Sequence, residues 1–97
     1  MSETGTDRVL LLADFSYDGQ QFAFREPVSL LVREVDGEFR VDDDDMEINV
    51  WAGNFETMLD EIHESICAMW NKVAQQDDSA LSPKAKRLRD YYRRVLS

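Results

Sequence analysis

Apolar residues recur at every second position on both sides of Asp36-Gly37, at Val28, Leu30 and Val32 before it and at Phe39 and Val41 after it. Alternation at period two is the mark of a strand with one buried face, and Asp-Gly suits the two-residue turn that needs positive φ at both central positions. Closing the loop at 36–37 pairs Val32 with Val41 and Arg33 with Arg40. It also gathers Val28, Leu30, Val32, Phe39 and Val41 on one face. The opposite face is then solvated, with Glu38 and Asp42 placed to relieve the Arg33–Arg40 pair. A second Asp-Gly, Asp18-Gly19, predicts another hairpin upstream. Its register aligns Val9, Leu11, Ala13, Phe15, Phe22 and Phe24 on one face and leaves Leu10 and Leu12 in need of a second cover. Pro27 cannot donate to a ladder and marks a strand boundary or edge. Downstream, "MEINVW" alternates Met46, Ile48 and Val50 with Glu47 and Asn49, a further strand.

The period then changes. After Gly53, Asn54 is a good N-cap, and Phe55, Met58, Leu59, Ile62, Ile66, Met69, Trp70 and Val73 recur at spacings of three and four. That arc covers about half of a helix circumference, enough for two neighbours. A second helix is opened by Ser82 and Pro83, with Leu81 ahead of the cap. It carries Ala85, Leu88, Tyr91, Tyr92, Val95 and Leu96 on one stripe and Lys86, Arg87, Arg89, Arg93 and Arg94 on the other side. The pattern predicts an α+β domain: an antiparallel four- to five-stranded sheet over about 8–51, a long amphipathic helix over about 54–76 on one face, and a C-terminal helix over about 82–96.

Ninety-seven residues fit one domain, 1–97, with a core large enough to need no disulfide or metal. The single cysteine, Cys67, cannot form an internal disulfide, and no apolar run approaches the ~18 residues of a membrane span. No basic segment precedes the short apolar run near the start, so the expected location is cytoplasmic. The net charge of −9 conceals a split: residues 82–97 balance at +5, the first 81 at −14. So negative a field opposes broad nucleic-acid binding but leaves the basic helix as a local candidate surface.

Candidate chemistry is sparse. The run Asp42–Asp45 lacks the alternating ligands, central glycine and distal glutamate of an EF-hand loop, and reads as a solvated turn between strands. His63 and Cys67, four apart on the long helix, could meet. With no second histidine or cysteine they complete no zinc site, and Cys67 at the edge of a core stripe lacks the exposure a reactive thiolate needs. They read as a satisfied interfacial pair. No serine sits in a nucleophile elbow and no glycine pattern cradles phosphate. The expectation is a non-enzyme with no catalytic residues, no cofactor and no metal. The basic face of Lys86, Arg87, Arg89, Arg93 and Arg94 is the candidate surface for a partner or for nucleic acid.

The segment "VSLLVREVDGEFRV…INVWAGNFETMLDEIHESICAMWNKV…LSPKAKRLRDYYRRVL" resembles the small HicB-like antitoxins over about residues 28–75. The shared pattern is strand, Asp-Gly turn, strand, loop, a third strand ending near glycine, and a Glu-rich amphipathic helix. The resemblance implies an antiparallel sheet flanked by helices, an oligomer, and binding to a protein partner such as a toxin nuclease. The expected function is therefore non-catalytic protein binding of an antitoxin-like kind by a homo-oligomer, most simply a dimer. Nucleic-acid binding through the basic C-terminal helix is the alternative.

Overall fold

The computed structural model describes residues 6–74, 76–77, 79 and 81–96. The expectation about the first residues, that they hold no export segment, lies outside them. The described residues build six strands: β1 (Thr6–Leu11), β2 (Phe15–Tyr17), β3 (Gln20–Phe22), β4 (Ser29–Val35), β5 (Glu38–Asp43) and β6 (Ile48–Ala52). Helix α1 (Phe55–Met69) follows, runs on into a π-helical segment at Trp70–Ala74, and is succeeded by α2 (Pro83–Val95). Four strands form one antiparallel sheet in the order β1-β4-β5-β6, and β2-β3 form a separate hairpin. The fold class is α+β.

The central hairpin has the register that Asp36-Gly37 predicts, with Val32 opposite Val41 and Arg33 opposite Arg40. Asp36 and Gly37 both take positive φ, 53° and 81°, as the two-residue turn requires. Val28, Leu30, Val32 and Val41 are buried, and Phe39 is half-buried on the same inner face. Strand β6 begins at Ile48 rather than Met46, because Glu47 turns the chain through φ 55°. Met46, Ile48 and Val50 nevertheless all face the core.

The first strand corrects the expected alignment. Phe15 does pair with Phe22 across the Asp18-Gly19 turn, but the hairpin stops there. The chain leaves it at Ala13-Asp14, where the Asp14 carboxylate accepts the Phe24 N–H at 2.9 Å. Strand β1 pairs instead with β4, Val9 opposite Leu31 and Leu10 opposite Leu30. This parity turns Leu10 and Leu12 toward the core and Val9 and Leu11 outward. Leu12 is buried within the main core, so it needs no second cover.

Helix α1 crosses the inner face against β5 and β6, with Met58, Ile62 and Ile66 fully buried. Asn54 caps it by accepting the Thr57 N–H at 2.8 Å. The β2-β3 hairpin lies along its flank. Helix α2, capped by Ser82 as its sequence predicts, packs on the π segment. Its Tyr92, Val95 and Leu96 enter the same core. It is stitched to distant chain at three places. The Tyr92 hydroxyl donates to the Met46 carbonyl at 2.8 Å, the Arg25 N–H donates to the Val95 carbonyl at 2.7 Å, and Phe24 bridges Leu96.

Candidate functional site

Alternation in β1, β4, β5 and β6 sends one set of side chains to the core and the other to the far side of the sheet, away from the helices. Five of the large apolar residues most exposed to solvent lie on that outer face: Val9, Leu11, Leu31, Val35 and Trp51. Trp51 is 64 % exposed yet held in place. Its indole N–H donates to Glu38 Oε1 at 2.7 Å, and the Arg40 guanidinium lies 5.4 Å from its ring centroid. Arg40 is oriented in turn by Asp42 at 2.9 Å. Across the sheet, pairing sets Trp51, Arg40, Arg33 and Asp7 in one row, closed by an Arg33–Asp7 ion pair at 3.4 Å. Asp42 thus relieves the paired arginines as expected, whereas Glu38 is spent on Trp51. Sequence reading placed Trp51 only as the end of a strand. The available signal was an aromatic residue at an outward position of the alternation, with Arg40 and Glu38 opposite or nearly opposite it.

The basic residues of α2 are not one solvated face. Arg89 corrects the expectation outright, being 7 % exposed. Its guanidinium donates to the Gln76 carbonyl and pairs with Asp90. Arg93 donates to the Ala74 carbonyl at 2.6 Å and to the Gln76 carbonyl at 3.3 Å. A helix end leaves carbonyls without intrahelical donors, and these two cations supply them while favouring the negative end of the helix dipole. Arg94 pairs with Glu26 at 3.5 Å and stacks on Tyr91 at 5.0 Å. Lys86 is half-buried, and Arg87 is exposed.

The aspartate run and the basic helix, unrelated in sequence, face each other. Between them is an open cleft of about 740 Å³, with Asp44, Asp45, Glu47 and Asp90 against Lys84, Arg87 and Arg94 above a floor of Leu88 and Tyr91. Lys84 already pairs with Glu47 at 3.5 Å, so part of this seam is neutralised internally. The run itself is divided. Asp42 and Asp43 end β5, and Asp44 and Asp45 lie in the turn. Asp43 Oδ2 accepts the Met46 N–H at 2.9 Å, so this carboxylate organises the turn. Burial raises the Asp43 pKa above its ordinary value, with Asp45 and Asp44 adding to the rise against the Met46 bond.

His63 and Cys67 do not pair with each other. His63 stacks on Phe15 at 4.0 Å, and burial lowers its pKa despite the attraction of Asp60. The Cys67 thiol donates to Gln20 Oε1 at 3.2 Å, and Gln20 and Asn71 exchange amide hydrogen bonds beside it. Both side chains thus serve the contact between α1 and the β2-β3 hairpin. Among the described residues no cluster of three or more His, Cys, Asp or Glu is arranged to hold a metal ion, and no helix is long and apolar enough to cross a membrane. Comparison with protein-family models finds no match to this chain, and neither does comparison with curated proteins or with solved structures.

Proposed function

We propose that this chain is a non-catalytic protein-binding module of an antitoxin-like kind, and that it engages its partner through the outer face of the sheet around Trp51. The observation that carries the reading is the fixed, exposed Trp51 with Arg40 stacked on it. Tryptophan and arginine dominate the residues that supply binding energy at protein interfaces, and a side chain already held in place loses little entropy on binding. Val35 and Leu31 are further exposed apolar side chains on the same outer face, two strands away on β4. The HicB-like pattern of strands, turn and helix supplies the kind of partner, a small toxin nuclease. The buried free thiol of Cys67 suits a reducing, cytoplasmic setting.

Nucleic-acid binding by α2 is the weaker reading. Arg89 and Arg93 are engaged on main-chain carbonyls, which removes two cations from any row that could track phosphates. Co-expression with the product of the adjacent reading frame tests the proposal. The wild-type chain should relieve growth arrest and co-purify with that product. Trp51→Ala should lose ~2 kcal/mol of binding, about thirty-fold in Kd, at unchanged stability. Relief by Trp51→Ala equal to wild type would remove this face from the reading. An adjacent product that neither arrests growth nor co-purifies would remove the antitoxin role.

A further inference from the structure

Among the described residues the sheet is open along β1. This strand pairs with β4 on one side, and no described strand pairs with it on the other. Backbone parity shows which groups line the open side. The Leu12 N–H donates to the Val28 carbonyl at 2.9 Å, continuing the β1–β4 ladder. Even-numbered residues therefore aim N–H and C=O at β4, while Asp7, Val9 and Leu11 aim theirs outward. The same residues carry outer-face side chains, with Val9 72 % and Leu11 63 % exposed beside Leu31. An open edge with free backbone groups and apolar side chains is a template for another strand.

We propose that the strand it receives is β1 of a second copy, antiparallel about a two-fold axis through Leu10, giving one eight-stranded sheet. The register follows from what each choice brings together. An axis through Leu10 sets Val9 opposite Leu11 of the partner subunit twice over, and Leu31 from each copy flanks the pair. An axis through Val9 sets Asp7 against Leu11, and one through Arg8 sets two like charges face to face. An axis through Leu11 shortens the ladder. The Leu10 axis gives the longest ladder that sets no charge against Val9 or Leu11 on the outer face. On the inner face Arg8 comes beside Leu12 of the partner subunit, its guanidinium already paired with Glu34 at 3.3 Å.

Self-association is favoured over a foreign strand by this match of the edge to itself. About five residues at ~3.4 Å each give a seam burying roughly 700 Å² in total, short of the ~1,200 Å² of a stable complex. The dimer therefore belongs to the weak, concentration-dependent class. Each copy carries −9, and the one cation within the seam, Arg8, is already paired with Glu34, so screening the repulsion between copies should strengthen the association. The proposal does not depend on the role given to Trp51. Because the two-fold axis is perpendicular to the sheet, however, it places both Trp51 faces on the same side.

Sedimentation velocity between ~10 μM and ~1 mM, at low and high salt, tests it. The average mass should rise from one chain toward two, and rise further in high salt. Val9→Lys with Leu11→Lys should hold the protein as a monomer without lowering its unfolding temperature, since both side chains are already exposed. Mild oxidation should cross-link Leu10→Cys, because opposed residues of a non-hydrogen-bonded pair lie ~4.5 Å apart at Cα, within disulfide reach. Val9→Cys should not cross-link. A monomer at every concentration overturns the proposal, as does a dimer indifferent to the lysines. Cross-linking by Val9→Cys but not Leu10→Cys overturns the register. A monomer whose Val9 and Leu11 amides resist hydrogen exchange would show the edge covered by its own chain, again overturning it.

Discussion

Replacing Tyr92 by Phe removes one oxygen and leaves the ring, which isolates a single interaction. Tyr92 is 1 % exposed and its hydroxyl donates to the carbonyl of Met46, itself fully buried in the turn between β5 and β6. Without the hydroxyl that carbonyl loses its buried donor, a loss worth ~1–2 kcal/mol once protein–water exchange is included. For a chain of this size each kcal/mol shifts the midpoint by ~4–8 °C, so Tyr92→Phe should melt about 5–15 °C below wild type by circular dichroism. Tyr91→Phe, at a half-exposed ring, should change stability by less than ~0.5 kcal/mol. Burial, with Asp43 next in weight, pushes the Tyr92 phenol well above its ordinary value of 10.0. The bond's pH linkage follows in sign. The folded pKa is the higher one, so the stabilisation is complete below pH 10 and is lost as pH rises toward the folded value. Tyr92→Phe should lack that alkaline loss. A melting temperature within about 1 °C of wild type would refute the view that this bond ties α2 to the turn.

Ile62→Asp or Ile66→Asp should unfold the chain, because each places an unpaired charge where the native side chain is fully buried; either variant melting like wild type would refute the placement of α1. His63, its pKa lowered chiefly by burial, favours folding while neutral; this stabilisation is complete above pH 6.5 and is lost as pH falls through the folded value. A His63 pKa measured by NMR at or above 6.5 would contradict it. Arg93→Ala should cost ~1–2 kcal/mol, more than an ordinary exposed arginine, because the Ala74 carbonyl loses a charged donor; urea unfolding measures the difference.

Where alternation was unambiguous, the sequence was readable to the residue. Asp36-Gly37 sets the β4–β5 register, and Ile48 and Val50 reveal the inner face of β6, because a turn type and a strict period leave one solution. Val9, Leu10, Leu11 and Leu12 are apolar at every position, so period two carries no information there. Their parity is decided by the break at Ala13-Asp14 and the ladder to β4, both tertiary facts. Arg89 misled for a related reason. A helical wheel assigns cations to water, and only the arrival of the π segment's carbonyls makes burial favourable. The spacing of His63 and Cys67 shows that they can meet, but not that His63 stacks on Phe15 and Cys67 bonds to Gln20 instead. Trp51 was visible as a residue and invisible as a site, since its partners lie on a neighbouring strand.

The stitching of α2 to β5–β6 and to the chain after β3 has a consequence for synthesis. Residues 6–74 emerge first with a sheet and a long helix whose common core still lacks Tyr92, Val95 and Leu96. Until residue 96 is free, the Met46 carbonyl, the Phe24 ladder position and the Ala74 carbonyl all lack their native partners. The nascent chain must therefore wait in an unfinished state with apolar surface uncovered, the condition in which partly made domains recruit chaperones or aggregate. A ribosome pausing anywhere between α1 and the end of α2 prolongs that exposure, so translation speed over those codons should govern how much of the protein reaches its folded form.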